Sequence, residues 1–238
     1  PPNPSAISGR TRMSDARSDI FARIREALKV KAPKPHLKAD ANPGKTSAVA
    51  KPWLPDGGET ADASLTILAE QLAKLKAVLI RVPDHAAAAR AVAELSASKN
   101  WKKVAYHGND LLRPVAAALS CETWEADASF DKQRLEGCDA GLTTCESIVA
   151  QLGSILVSSA SSGGRALSVL PHVHVVVAET SQVVPDLGSA LALAKARHGD
   201  QMPSMLSFIT GPSRTGDIER ILVLGAHGPK ELYLILVG

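Results

Sequence analysis

From residue 61 onward the chain alternates short apolar runs with alanine-rich helical stretches, and this constrains the fold more than any other feature. Lys76–Val82 (KAVLIRV), Val173–Ala178 (VHVVVA) and Leu232–Val237 are near-continuous Val, Leu and Ile, the pattern of strands covered on both faces. Strands separated by helices pair in parallel through crossover connections. The expected architecture is α/β with an open, doubly wound, mostly parallel sheet. Aromatics make up only 3% of residues, so the core must be built from small aliphatic side chains that let helices approach the sheet closely.

The spacing predicts helices over 64–74, from Asp84 to about Ala97, from Asn109 or Asp110 to Leu119, over 130–135, and from Pro185 to about His198. Further strands are expected at 103–106, 122–125, 139–143, 205–210 and 222–224, with one apolar segment at 148–159 and a short helical turn at 216–220. Upstream, residues 1–13 read as a disordered tail. Residues 14–60 read as a helix over 14–30 followed by a Pro-rich linker, which runs over the main domain with Trp53 and Leu54 as anchors. The α/β domain proper is expected over 61–238.

Charge divides along the same boundary. The net charge of +3 hides +7 within residues 1–51 and −4 within 52–238. The sheet-forming region is thus acidic and poor in aromatics, without the basic platform or stacking rings of a nucleic-acid binder. No apolar run approaches the ~18 residues a membrane span needs. No signal-peptide h-region is visible, and the three cysteines (Cys121, Cys138, Cys145) form no CxxC pair, so a reducing cytoplasm is expected. Three cysteines also fall short of a self-contained four-cysteine cluster site.

Three loops that follow strands carry most of the chemistry. The first is SSASSGGR, with Ser158, Ser161, Gly163, Gly164 and Arg165: hydroxyls, glycine backbones and a guanidinium suited to cradling an anion, or simply a flexible turn. The second is TGPSRTGD, with Gly211, Ser213, Arg214, Thr215 and Asp217: either an anion site built on the Arg214 fork or a capped strand–helix junction. The third is GAHGPKE, where His227 lies among small residues beside Gly228, with Lys230 adding charge. His227 suits a general acid/base, an anion donor or a metal ligand, although a lone His is more often a structural hydrogen-bonder. Glu146 is a second catalytic candidate, as a buried carboxylate with a raised pKa; a turn on the surface is the alternative. His172 and His174 alternate in PHVH, but with no third ligand nearby they read as packing residues rather than a metal site. There is no GxxxxGK[ST], GxGxxG or GxSxG.

GPSRTGDIERILVLGAHGPKEL at 211–232, with GSILVSSASSGGRALSVLPHVHVVVAETSQVVPDL at 153–187, resembles the LUD-domain family of the lactate utilization protein C type. The amphipathic N-terminal helix, the Pro-rich linker and the length agree with that resemblance. It implies a Rossmann-like three-layer α/β/α sandwich of the NagB, ribose-5-phosphate isomerase and CoA-transferase group. It also implies a part in oxidising L-lactate to pyruvate beside partner subunits that carry iron–sulfur clusters, this chain holding no cofactor of its own. Many members carry an acidic residue followed by Thr-Gly before the apolar strand; here the positions read Gln151-Leu152-Gly153, and Glu146 is the nearest carboxylate.

Three functional readings follow. In the first, the chain is the cluster-free component and binds a small anion where the three loops converge. Arg165, Arg214 and Lys230 pair with the charge, Ser161 and Ser213 orient it, and His227 acts as donor or acid/base. In the second, it is a free-standing enzyme on a sugar phosphate, folate or CoA ester, by analogy of fold alone. In the third, it is a non-catalytic assembly module docking through its N-terminal helix. Homo-oligomerisation is compatible with all three.

Overall fold

A computed structural model describes residues 13–29, 55–126, 131–215, 223–225 and 227–238. They fall in two units, 1–51 and 52–238. The first contains α1 (Met13–Lys29), within one residue of the expected helix. Of the tail expected over 1–13, Met13 instead opens α1; residues 1–12 and most of the linker, including Trp53 and Leu54, lie outside the described residues.

The second unit is built on a six-stranded sheet of β1 (Val78–Val82), β2 (Lys103–Tyr106), β3 (Glu122–Glu125), β4 (Ala140–Thr143), β7 (Val173–Glu179) and β12 (Glu231–Val237). Their order is β1-β12-β7-β4-β2-β3, and every neighbouring pair is parallel. The sheet is therefore wholly parallel, as the near-continuous apolar runs require. Each run divides by its period of two. Val173, Val175, Val177, Tyr233, Ile235 and Val237 pack with α3 (His85–Lys99) and α4 (Leu112–Ala117) on one face. Val176, Ala178, Leu232, Leu234 and Leu236 pack on the other face with α2 (Ala61–Leu75), β5 (Ser147–Val149) and β6 (Ser154–Ser158).

That second face carries a feature absent from the sequence expectations. Residues 148–159 are not one segment but two strands, β5 and β6, paired antiparallel around a 3-10 turn at Ala150–Leu152. Gly153 closes the turn at φ +64 with α2 directly above it, where a Cβ would lie 3.0 Å from Gln71 Cβ. β8 (Val183–Val184) and β9 (Leu206–Ile209) complete a four-stranded sheet, β8-β5-β6-β9. Ile155 and Val157 face the large sheet, while Leu156 faces α6 (Leu187–His198) through Ala190 and Ala194. The layers are thus α3 and α4, the parallel sheet, α2 with the small sheet, and α6. The remaining elements are α5 (Lys132–Glu136) and a ribbon of β10 (Arg214–Thr215) and β11 (Val223–Leu224).

Side-chain caps fix the helix starts. Asp84 Oδ1 accepts from Ala87 N at 2.6 Å, and Asp186 Oδ1, not Pro185, caps α6 by accepting from Ser189 N at 2.8 Å. Asn109 Oδ1 takes the amides of Leu111 and Leu112 ahead of α4. The end of the linker is tied to the domain: Gln151 Nε2 donates to Pro55 O at 2.5 Å and Ser64 Oγ to Gly57 O at 2.8 Å. Gln151 thus uses an amide donor where a carboxylate would have none.

Candidate functional site

The second and third loops meet. Ser213 N donates to Pro229 O at 2.8 Å and Gly225 N to Ser213 O at 3.0 Å. A Cβ on Gly228 would stand 3.2 Å from Ser213 Cβ, so a small residue there lets the loops close on each other. Between them lies a cleft of about 210 Å³ lined by Ser168, Val169, Met205, Ser207, Ile209, Thr210, Gly211, Ser213, His227, Gly228 and Pro229. Its apolar floor comes from Met205 and Ile209, which also pack on the core. Ser168 is buried at 3% exposure, and His227 is exposed. Thr210 Oγ1 is paired with Ser154 Oγ at 2.7 Å. The side chains of Ser168, Ser207, Ser213 and His227 have no hydrogen-bond partner among the described residues.

The expected cations are elsewhere. The Arg214 guanidinium turns back to donate to Leu75 O at the carboxyl end of α2, and Gly211, at φ +82, lets the loop pass against the same Leu75. Arg165 donates to Ser204 O at 3.0 Å. The Lys230 stem lies over Gly225, where its Cγ leaves no room for a Cβ. None of the three lines the cleft. Arg214 and Thr215 sit on the ribbon rather than in a loop, and Asp217 with the expected turn at 216–220 lies outside the described residues.

The location also departs from the rule that ligands sit at the carboxyl edge of a parallel sheet. β9 and β11 belong to the two smaller sheets, and the loop at 225–230 leads into the amino end of β12. The cleft is therefore at the opposite end of β12 from the carboxyl edge.

The first loop closes on itself. Ser158 Oγ accepts from Ala160 N at 3.1 Å and from Ser161 N at 3.0 Å. Ser161 Oγ accepts from Ser158 N at 2.9 Å, and Ser162 Oγ donates to Ser158 O at 2.6 Å. Gly163 and Gly164 take φ of +61 and +99, completing a tight turn whose inner donors are engaged within it. This is the plainer of the two readings of the Gly/Ser motif. The loop reaches the cleft only through Ser168 and Val169, a few residues further on.

Glu146 anchors a separate cluster. It is 3% exposed, and its two oxygens are both engaged. Oε1 accepts from Ser158 Oγ at 2.5 Å and lies 3.2 Å from His198 Nε2, while Oε2 accepts from Arg197 Nη1 at 2.5 Å. Burial pushes the carboxyl up, but the hydrogen bonds from Ser158, Arg197 and His198 outweigh it and hold Glu146 below its usual range. The expected raised pKa is thus reversed. A buried carboxylate kept ionised by donors on both oxygens is a structural anchor in this geometry.

Neighbouring titratable groups are also inert. Burial, with the Glu146 charge adding to it, pushes the Cys145 thiol up to about 12. Burial raises Cys138 as well. His174, 1% exposed, is driven down to about 3 by burial and shares a 2.8 Å hydrogen bond with Thr143 Oγ1, whereas His172 is exposed. The two histidines therefore form no pair, and no group of three metal-ligating side chains gathers among the described residues.

Ser168 and Ser207 escape the sequence reading. Ser207 shares its strand face with Ile209, an alternation visible only once residues 206–209 are known to be an edge strand. Ser168 carries no signal in its spacing.

Comparison with known proteins gives this geometry its context. A family model described as LUD domain matches residues 65–237. The chain is 36% identical over 121 residues to lactate utilization protein C of Bacillus licheniformis, covering 49% of this chain and 50% of that protein. It is 33% identical over 118 residues to lactate utilization protein C of Bacillus subtilis, covering 48% and 49%. The chain thus spans about half the length of these curated relatives. Against lactate utilization protein C of Geobacillus thermodenitrificans the match is 27% over 206 residues, covering 78% of this chain and 82% of that protein. The crystal structure of a DUF162 family protein from Deinococcus radiodurans superposes with a TM-score of 0.58 at 20% identity, covering 76% of this chain and all of that one, and shares the fold. With the family model spanning the parallel sheet from α2 to β12, this chain belongs to the LUD-domain family.

Proposed function

We propose that the chain serves lactate utilization, as the names of its relatives indicate, and does so by binding a small hydroxy- or keto-carboxylate in the cleft between the 205–213 and 227–229 segments. One observation carries this reading: three serine hydroxyls and an imidazole, without partners among the described residues, converge on one concave surface with an apolar floor. Such a site holds a methyl-bearing acid by its apolar end and its carboxylate by the hydroxyls and His227. His227 is the acid/base candidate because it is the titratable side chain lining the cleft.

The chain acts as the cluster-free partner of iron–sulfur subunits in this reading. Its cysteine chemistry supports the division. Three cysteines are fewer than a four-thiolate cluster requires, and burial disfavours the thiolate form at Cys138 and Cys145. The acyl-transfer alternative, with Glu146 as the carboxylate, is disfavoured by the engagement of both its oxygens.

Calorimetric titration of the full chain with L-lactate and with pyruvate tests the proposal. Saturable binding of at least one acid is expected, with His227→Ala weakening it roughly tenfold, about 1.4 kcal/mol. Absence of binding of either acid, or affinity untouched by His227→Ala, removes the site.

A further inference from the structure

α1 lies upstream of the residues matched by the family model and carries an apolar face without a partner among the described residues. Ile20, Phe21, Ile24 and Leu28 are 56%, 43%, 47% and 77% exposed. At about 100° per residue these four and Ala27 share one face of the helix. The charges are sorted around that face. Arg23 and Arg25 fall on its two borders, and the Arg17 guanidinium lies over the Phe21 ring, 5.5 Å from its centroid. Asp19 and Glu26 fall together on the opposite side, where Glu26 is paired with Lys29 at 2.7 Å.

The sequence flanking α1 extends the bias. Arg10 and Arg12 precede it, and Lys31, Lys34, Lys38, Lys45 and Lys51 follow, against a single acid, Asp40. Positive charge is thus spread along the chain on both sides of a short apolar face. A specific groove on a protein would meet charge concentrated on the helix. A diffuse cationic segment matches a diffuse anionic surface, and the apolar row adds what a bare polyanion such as duplex DNA has no means to bury. Cations bordering the apolar face and acids turned away from it are the arrangement of a helix lying in a lipid interface.

We propose that α1 docks this protein reversibly on anionic lipid surfaces, with Ile20, Phe21, Ile24 and Leu28 entering the interface and Arg17, Arg23 and Arg25 meeting the headgroups. No helix among the described residues is long and apolar enough to cross a membrane, so the association is peripheral. It concerns a unit separate from the cleft and stands whether or not the cleft binds lactate.

Co-sedimentation of the full chain with vesicles is the test. Binding is expected to phosphatidylcholine vesicles containing phosphatidylglycerol, and not to phosphatidylcholine alone, and it should fall steeply with added salt. The triple change Arg17→Gln, Arg23→Gln, Arg25→Gln should lower partitioning roughly a hundredfold. Phe21→Ser with Ile24→Ser should lower it at least about tenfold with the charge intact. Circular dichroism of each variant confirms that the 52–238 unit keeps its fold. The proposal is overturned by equal pelleting with and without phosphatidylglycerol. It is equally overturned if the Phe21→Ser, Ile24→Ser chain binds vesicles as the parent does, or if duplex DNA binds as tightly as the vesicles and is indifferent to that apolar change.

Discussion

Two polar clusters on the same domain differ in one respect that decides their roles. Around Glu146 both carboxylate oxygens are engaged: Ser158 Oγ and Arg197 Nη1 donate to them, His198 Nε2 stands 3.2 Å away, and the turn at 158–162 holds its amides within itself. Around His227 the hydroxyls of Ser168, Ser207 and Ser213 have no partners among the described residues. A buried, fully paired ion stabilises the fold mainly by being costly to disrupt. Unpaired donors at an open cleft cost little in water and become available to a ligand. On this ground the first cluster is architecture and the second is the binding site, although Glu146 and Ser158 look as functional in sequence as His227 does.

Substitutions should separate the clusters by stability first. Arg197→Ala leaves the 3%-exposed Glu146 carboxylate without its closest cation; because Arg197 itself is half exposed, the loss is discounted to about 2 kcal/mol. A shift of the urea midpoint reads it, and a loss below about 0.5 kcal/mol would place Glu146 outside the architecture. Ser158→Ala removes one charge-assisted hydrogen bond and should cost about 1.5 kcal/mol in the same assay. His227→Ala should leave stability within about 0.5 kcal/mol while weakening acid binding roughly tenfold. The opposite pattern, stability lost and binding kept, would exchange the roles of the two clusters.

Acid should expose a further asymmetry. His174 is driven from its ordinary 6.5 to about 3, so the unfolded chain takes up a proton that the folded chain refuses. Stability from its neutral, hydrogen-bonded form is whole above pH 6.5 and is lost as pH falls toward 3. Glu146, held below its ordinary 4.5, contributes stability above that pH and loses it as pH drops through its lowered value. Urea midpoints should therefore fall in two overlapping stages, and His174→Gln should flatten the upper stage alone. A midpoint unchanged between pH 6.5 and 4.5 would contradict the account of His174.

The smallest effect is expected at Arg214. Its guanidinium caps the last carbonyls of α2 through Leu75 O from an exposed position, so Arg214→Ala should cost under about 1 kcal/mol and leave acid affinity within about twofold. A large loss of binding would return Arg214 to the site.

These contrasts also mark where sequence reasoning stops. The parallel sheet was legible because its central strands β7 and β12 advertise double-sided burial; 103–106 and 122–125 also coincide with β2 and the largely exposed edge strand β3, and Asp84 caps α3, whose start was expected there. The β5–β6 hairpin was not, because both strands are apolar and the short turn at 150–153 carries one glycine as its signal; periodicity records burial, not pairing direction. Of the three anticipated loops, two converge, since Gly228 permits the close approach to Ser213. The cations were misplaced for a different reason. Long side chains reach several ångströms from their backbone, so Arg165, Arg214 and Lys230 could be near the cleft in sequence and bond to Ser204, cap Leu75 and cover Gly225 instead.

The most direct test of the distinction between the clusters is a crystal structure of the full chain with bound L-lactate. The carboxylate is expected within about 3 Å of Ser213 Oγ and His227, with the methyl group toward Met205 and Ile209. Lactate bound beside Glu146 and Arg197, or at the carboxyl edge of the parallel sheet with the cleft holding only water, would contradict it.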